Sequence, residues 1–198
     1  KAVIANHLNQ ANEHVMTLRS KIAPELAELA SRLSDDQVIY LFAAIQKENK
    51  EEQEELDEYD SMSDSERLEK LIENFEEGFE DSVGDLTDEQ KTMIANAAPH
   101  FARTRGNWLE YRITMQNEAR RLFASRQNTE AFQQKLTHLL THPDDYRTEE
   151  YLARRKANRE AYLSLADELV KTMTAKQKSH LLKKLNKIID DINDLQDD

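Results

Sequence analysis

A chain of 198 residues with only three Gly and three Pro is long enough for a buried core, but it has too few turn-forming residues for a β-rich fold. It holds no cysteine, which excludes disulfide frameworks, thiol catalysis and cysteine-bound zinc. Its net charge of −12 repels phosphate backbones and anionic lipid heads, so nucleic acid is not expected as a partner.

The first helix reads from Ile4, Leu8, Ala11, Val15, Leu18 and Ile22, an apolar face continued by Leu26, Leu29 and Leu33. Pro24 lies inside it, and a kink or a new helix start is expected there because proline removes a donor and crowds the preceding turn. A second helix follows Ser34 with Val38, Leu41, Phe42 and Ile45 inward; from Lys47 to Glu55 it becomes polar on all sides. A turn is expected over Ser61 to Ser65. A third helix then buries Leu68, Leu71, Ile72, Phe75 and Phe79 until Gly84.

The fourth helix, starting after Thr87, reads as the longest. Its stripe is Ile94, Ala98, Phe101, Trp108, Met115, Ala119 and Leu122, with a bend at Pro99. A short helix from about Thr129 carries Phe132, Leu136, Leu139 and Leu140 and stops before Pro143. A sixth follows Thr148 with Leu152, Tyr162, Leu165 and Leu169 inward. The last follows Thr174 with Leu181, Leu185, Ile188, Ile192 and Leu195. The expected fold is therefore all-α: about seven amphipathic helices, several of them long, in an elongated helical bundle. It reads as a single domain over 1–198, with Gly84 the hinge candidate between 1–84 and 85–198. No apolar run is long enough to cross a membrane.

Three helix starts share one form: Ser34 with Gln37, Thr87 with Gln90 and Thr174 with Gln177. A Ser or Thr at the cap accepts from the backbone N–H three residues on, while the Gln reaches back to the cap's own N–H. Ser34, Thr87 and Thr174 are thus expected N-caps.

Charge is unevenly placed. From Lys47 to Asp81 there are 16 Asp and Glu against four Lys and Arg, an excess equal to that of the whole chain. Conversely, ten of the 13 arginines lie between Arg103 and Arg159. Trp108, Arg112, Gln116 and Arg120 are spaced by four along one helical ridge, and Arg105 flanks Trp108. Arg155, Asn158 and Arg159 interrupt the stripe of the sixth helix in the same way. A guanidinium on a core-facing stripe must stay paired, since it cannot deprotonate. Arg105 and Arg112 are accordingly expected to be largely buried beside Trp108, with Glu48, Asn49, Glu52 and Gln53 as partners. The same pattern also suits a groove for an acidic partner, or stems that cover the core with their charged heads in water.

His138 and His142 have the helical spacing of a metal-ligand pair, but Pro143 ends their helix and spacing fixes no third ligand. No glycine-rich phosphate loop, GxSxG elbow or HExxH motif occurs. No catalytic residue, metal or cofactor is assigned, and the chain reads as a non-enzyme.

The segment KIAPELAELASRLSDDQ, the Glu-rich helix after it, GDLTDEQ, the Trp108–Arg112–Gln116 ridge and Ala157-Asn158-Arg159 before MTAKQ together resemble an uncharacterised family of proteobacterial lipoproteins. Members carry an export signal and a lipidated cysteine ahead of the domain. The resemblance implies a periplasmic location, anchored to the outer membrane in the full-length protein and touching membrane only through that anchor. It implies no activity. The LTxxQ boxes are also similar to those of the small helical periplasmic proteins Spy and CpxP, a chaperone and a stress-signalling regulator, although here they number three. Together these features lead to an expected non-catalytic role in protein interaction or chaperone-like binding, with a protein partner. The competing expectations are a structural envelope spacer and an unrecognised enzyme.

Overall fold

The computed structural model describes residues 1–197, with side chains described through Asp194; Leu195, read above as part of the last helix's apolar face, lies outside the described side chains. The described residues form eight α-helices and no strand. They are α1 Ala2–Ser31, α2 Asp35–Ser61, α3 Asp64–Val83 and α4 Asp88–Ala97, followed by α5 Arg105–Ala124, α6 Thr129–Thr141, α7 Glu149–Thr172 and α8 Ala175–Asp197. Short 3-10 turns occupy Ala98–His100 and Pro143–Tyr146.

Three local expectations need correction. The long fourth helix is two, α4 and α5. Pro99 opens a 3-10 turn and Phe101 is extended at φ −86° and ψ 124°, so the apolar period continues across a chain that is no longer helical. The turn after α2 is shorter than expected, because Ser63 caps α3 and forms its own capping box with Glu66. At Pro24, the expected site of a kink or a new start, only the new start is ruled out, since α1 runs unbroken over Ala2–Ser31. Ala23 and Ala27, on either side of it, are 1% and 0% exposed, and α1 packs against α6 through this region. Close packing of small side chains holds the helix through the proline.

The contacts divide the chain into two units. The first comprises residues 2–61 and 102–157. Its core joins Ala27 of α1, Phe42 of α2, Leu122 and Phe123 of α5, and Phe132, Leu136 and Leu139 of α6. Phe123 is the hub: its ring meets Phe42 and Phe132 edge-on, at centroid distances of 5.4 and 5.1 Å. Such T-shaped pairs set the positive ring edge against the negative face. Tertiary packing chose a different face of α1 from the one its period suggests. The alanines face inward, whereas Val15, Leu18, Ile22, Leu26 and Leu29 are exposed.

The second unit comprises Lys1, residues 62–101 and residues 158–198. Ile94, Leu165 and Leu169 are its buried centre, with Ile72, Phe75, Phe79, Leu86 and Met93 packed around them. No residue of α3 is fully buried; Leu68, Leu71, Ile72, Phe75 and Phe79, expected inside, are half-buried. On α7, Leu165 and Leu169 are buried as expected, while Leu152 and Tyr162 are exposed.

Candidate functional site

In the second unit two capping boxes meet. Thr87 Oγ1 accepts from Gln90 N at 3.3 Å while Gln90 Oε1 accepts from Thr87 N at 3.0 Å. Thr174 and Gln177 repeat this at the start of α8, at 3.2 and 2.9 Å. The two glutamines then join each other: Gln177 Nε2 donates to Gln90 Oε1 at 2.7 Å, and Gln90 Nε2 donates to Gln177 Oε1 at 3.1 Å. Their remaining donors reach Thr172 Oγ1 at 3.3 Å and the Asp85 carbonyl at 2.8 Å. Gln90 and Gln177 are 1% and 2% exposed, so this network lies inside the unit and every amide atom in it has a partner. Sequence reasoning assigned these glutamines only a capping role. Nothing local marks them as mutual partners, because 87 residues separate them.

Beside this network, α3 ends at Gly84 with φ 82° and ψ −170°, and Gly84 N donates to Glu80 O at 2.7 Å. That backbone region is essentially reserved for glycine, and it turns the chain into Asp85 and the Thr87 cap. Two ion pairs brace the same edge, Asp85 with Lys176 at 2.8 Å and Asp81 with Lys184 at 2.5 Å. The lysine hydrogen bond, followed by the lysine charge, holds each carboxyl below its ordinary range. The third box, Ser34 with Gln37, closes at 3.2 and 2.9 Å on the exposed start of α2 in the first unit.

The first unit carries the arginine ridge. Arg112 pairs with Glu48 and Arg105 with Glu55, and Arg105 also lies 3.6 Å from Glu52. Gln116 accepts from Asn49, and Arg112 lies 5.4 Å from the centre of the Trp108 ring. Arg120 stacks over Phe42 at 5.1 Å. The ridge of α5 thus runs along the acidic face of α2. Full burial does not occur: the Arg105 and Arg112 side chains are 36% and 22% exposed, because desolvating a guanidinium and a carboxylate together costs more than leaving both at the rim. Of the foreseen partners, Glu52 takes the longer contact with Arg105, while Glu55, beyond them, takes the shorter one. Gln53 bonds Asp57 within its own helix.

Of the candidate face Arg105, Trp108, Arg112, Gln116, Arg155, Asn158 and Arg159, the first five lie in the first unit. Arg155 lies 3.8 Å from Asp144 and 5.7 Å from the Tyr151 ring. Asn158 and Arg159 fall past the division in α7 and belong to the second unit. His138 and His142 stack at 4.2 Å, and His138 Nε2 is 3.1 Å from Asp145 Oδ2. Among the described residues, no group of three or more His, Asp or Glu is placed to hold a metal.

A groove that sequence reasoning did not foresee lies in the first unit, with a volume of about 390 Å³. Val15, Leu18, Ile22 and Leu26 of α1 form one wall; Tyr111 and Met115 of α5, Leu140 and Pro143 form the other. Arg19 is the one charged residue lining it, and no ion pair engages it among the described residues. Close by, Arg147 sits over Tyr111 at 4.6 Å and pairs with Asp144, while its buried Nε has no partner. Burial, and after it the charges of Arg155 and Arg19, pull the Arg147 guanidinium below its ordinary range. Arg19 is therefore the cation lining an apolar trough, and Arg147 packs on its wall residue Tyr111.

The chain belongs to a family of unknown function (DUF6279), whose profile matches residues 3–152. The match takes in the groove, the arginine ridge and the capping boxes at Ser34, Ser63 and Thr87. No curated protein and no solved structure matches the chain.

Proposed function

We propose that this member of the family is a non-catalytic protein-interaction domain with chaperone-like binding, held on the periplasmic side of the outer membrane by a lipid anchor ahead of the domain. One observation carries the binding reading: α1 turns a row of large apolar side chains to solvent. Val15, Leu18, Leu26 and Leu29 are each between 47% and 61% exposed, and the row borders a groove with an unpaired cation. Contiguous apolar surface of this kind, edged by charge, is how soluble helical proteins hold a partner. The envelope part of the reading is supported by the resemblance of the helix-start motifs and of the Trp108–Arg112–Gln116 ridge to envelope lipoproteins.

The test is suppression of aggregation of an unfolded client at near-stoichiometric ratio without nucleotide, comparing the chain with its Leu18→Glu/Ile22→Glu variant. Protection by the chain and its loss in the variant are expected. Salt should modulate the effect, because charge at the groove steers encounter. No protection at low or high salt would remove the chaperone version. A crosslinking pull-down of the lipidated full-length protein from its own envelope would then identify a specific partner, and an empty pull-down would favour a spacer.

A further inference from the structure

Two apolar helix faces on this chain lack cover, and they match. On α1 the seam Leu8, Ala11, Val15, Leu18 and Ile22 advances by alternating steps of three and four. On α8 the residues Leu181, Leu185, Ile188 and Ile192 advance in the same way, and the last three are 46%, 47% and 50% exposed. This alternation keeps an apolar stripe facing one partner helix along its length. The charge beside Leu18 and the charge around Ile192 are opposite, although Lys187 also adjoins Ile188 and Glu13 also lies along α1. Arg19 flanks the α1 seam next to Leu18; Asp190, Asp191 and Asp194 flank the α8 seam around Ile192. None of these four has an ion-pair partner among the described residues. The first half of α8 is already occupied in its own unit, where Lys184 bonds Asp81 of α3.

We infer that the groove beside α1 receives the second half of α8 from another copy of this chain, with Ile188 and Ile192 in the trough and an α8 carboxylate against Arg19. Docking between copies, reciprocal or repeated, covers both bare seams of each chain and pairs both sets of unpaired charge. An external acidic amphipathic helix would satisfy the groove alone and leave α8 bare. The inference rests on reading these exposed faces as binding surfaces, as above, and it names the occupant. A helix laid in a groove buries side chains from every turn, while the Arg19 pair, at a partly exposed rim, sets register and orientation more than affinity.

The chain contains no cysteine, so introduced thiols report contacts cleanly. Leu18→Cys and Ile188→Cys are made in separate copies of this chain, mixed, and oxidised under mild conditions. The mixture should form a disulfide between the two variants faster than either forms one alone. Sedimentation of the unmodified chain should show a concentration-dependent rise from the 23.1 kDa of one copy to at least twice that mass. Ile188→Asp should abolish the rise. Arg19→Glu should weaken it, and Asp191→Arg in the same chain should restore it. Ile188 and Asp191 are exposed and Arg19 is only partly buried, so circular dichroism should show unchanged helix content in every variant.

Crosslinking only of Leu18→Cys with itself, or a chain that stays at one copy at all concentrations, overturns the inference. The client assay on the same preparations separates the two failures. A monomeric chain that still protects client through Leu18 and Ile22 retains the binding role and loses the self-docking; one that neither associates nor protects loses both.

Discussion

The two units join helices through polar side chains in opposite ways. In the second, the starts of α4 and α8 meet through Gln90 and Gln177, sealed at 1% and 2% exposure. In the first, α5 meets α2 through Arg105, Arg112 and their carboxylates, which remain at the rim with up to 65% of the acid side chain in water. The difference is one of solvation. A carboxamide holds donor and acceptor side by side, so two of them can close reciprocally and leave nothing unpaired when water departs. An ion pair loses far more hydration on burial, and only excellent geometry recovers it. The chain thus uses neutral amides where helices must seal and charges where they only need alignment.

The strongest way to break this contrast is Gln177→Leu. It removes one of the two bonds at each amide atom of Gln90 and leaves the Thr174 N–H without a partner inside the unit, and the loss should be about 3 kcal/mol in urea unfolding. Gln37→Leu, in the exposed box of α2, exchanges its bond for water and should cost no more than about 1 kcal/mol. Equal losses at the two sites would mean that burial adds nothing to the amide pair. Next in size is Gly84→Ala. An added Cβ would meet His180 at an ordinary 3.6 Å, so space is available and the cost lies in the backbone. At φ 82° it should be about 2 kcal/mol, with the loss appearing in the unfolding of the second unit.

A smaller effect tests the other side. Arg112→Met keeps much of the stem and deletes a half-exposed pair, so it should cost about 0.5 to 1 kcal/mol. The larger penalty, about 3 kcal/mol or more, belongs to a buried charge left alone, which neither Arg112 nor Arg105 would leave behind. A double-mutant cycle with Glu48→Gln measures the coupling; a value near the buried-pair figure would show the ridge to be far less solvated than its 22% exposure indicates.

Legibility in the sequence followed distance along the chain. Helix starts at Ser34, Thr87 and Thr174 are readable because cap and glutamine lie three residues apart. The pairing of Gln90 with Gln177 is not, since it depends on two distant helix starts arriving together. The inward face of α1 was misread for a related reason. Its large residues carry the strongest period, but the side of α1 buried against the core that includes α6 is the one with Ala27 and Ala30, and that preference belongs to the pair of helices. The break between α4 and α5 was hidden because apolar spacing persists through the extended residue Phe101. Arg19 gave no signal, being one ordinary cation on a mixed face until the groove is assembled around it.

The smallest expected effect is the response of the second unit to acid. Asp81 and Asp85 both have carboxyl groups held below their ordinary value of 3.8, first by the hydrogen bonds from Lys184 and Lys176 and then by those lysine charges, with His180 adding a weaker attraction. A carboxylate more acidic in the folded chain than in the unfolded one favours folding while it is ionised. Its contribution is fully present above the ordinary value and fades as pH falls through the lower folded value. Stability of the second unit should therefore slope downward below about pH 4. Asp85→Asn should flatten part of that slope while leaving the urea midpoint at neutral pH only slightly lower, since both pairs are open to water and screened by salt. The measurement is a series of urea titrations from neutral to acid pH, followed by amide exchange at the start of α8 to localise the change. An unaltered acid slope in Asp85→Asn would exclude the Lys176 pair as its source and leave Asp81, tested in the same way through Asp81→Asn.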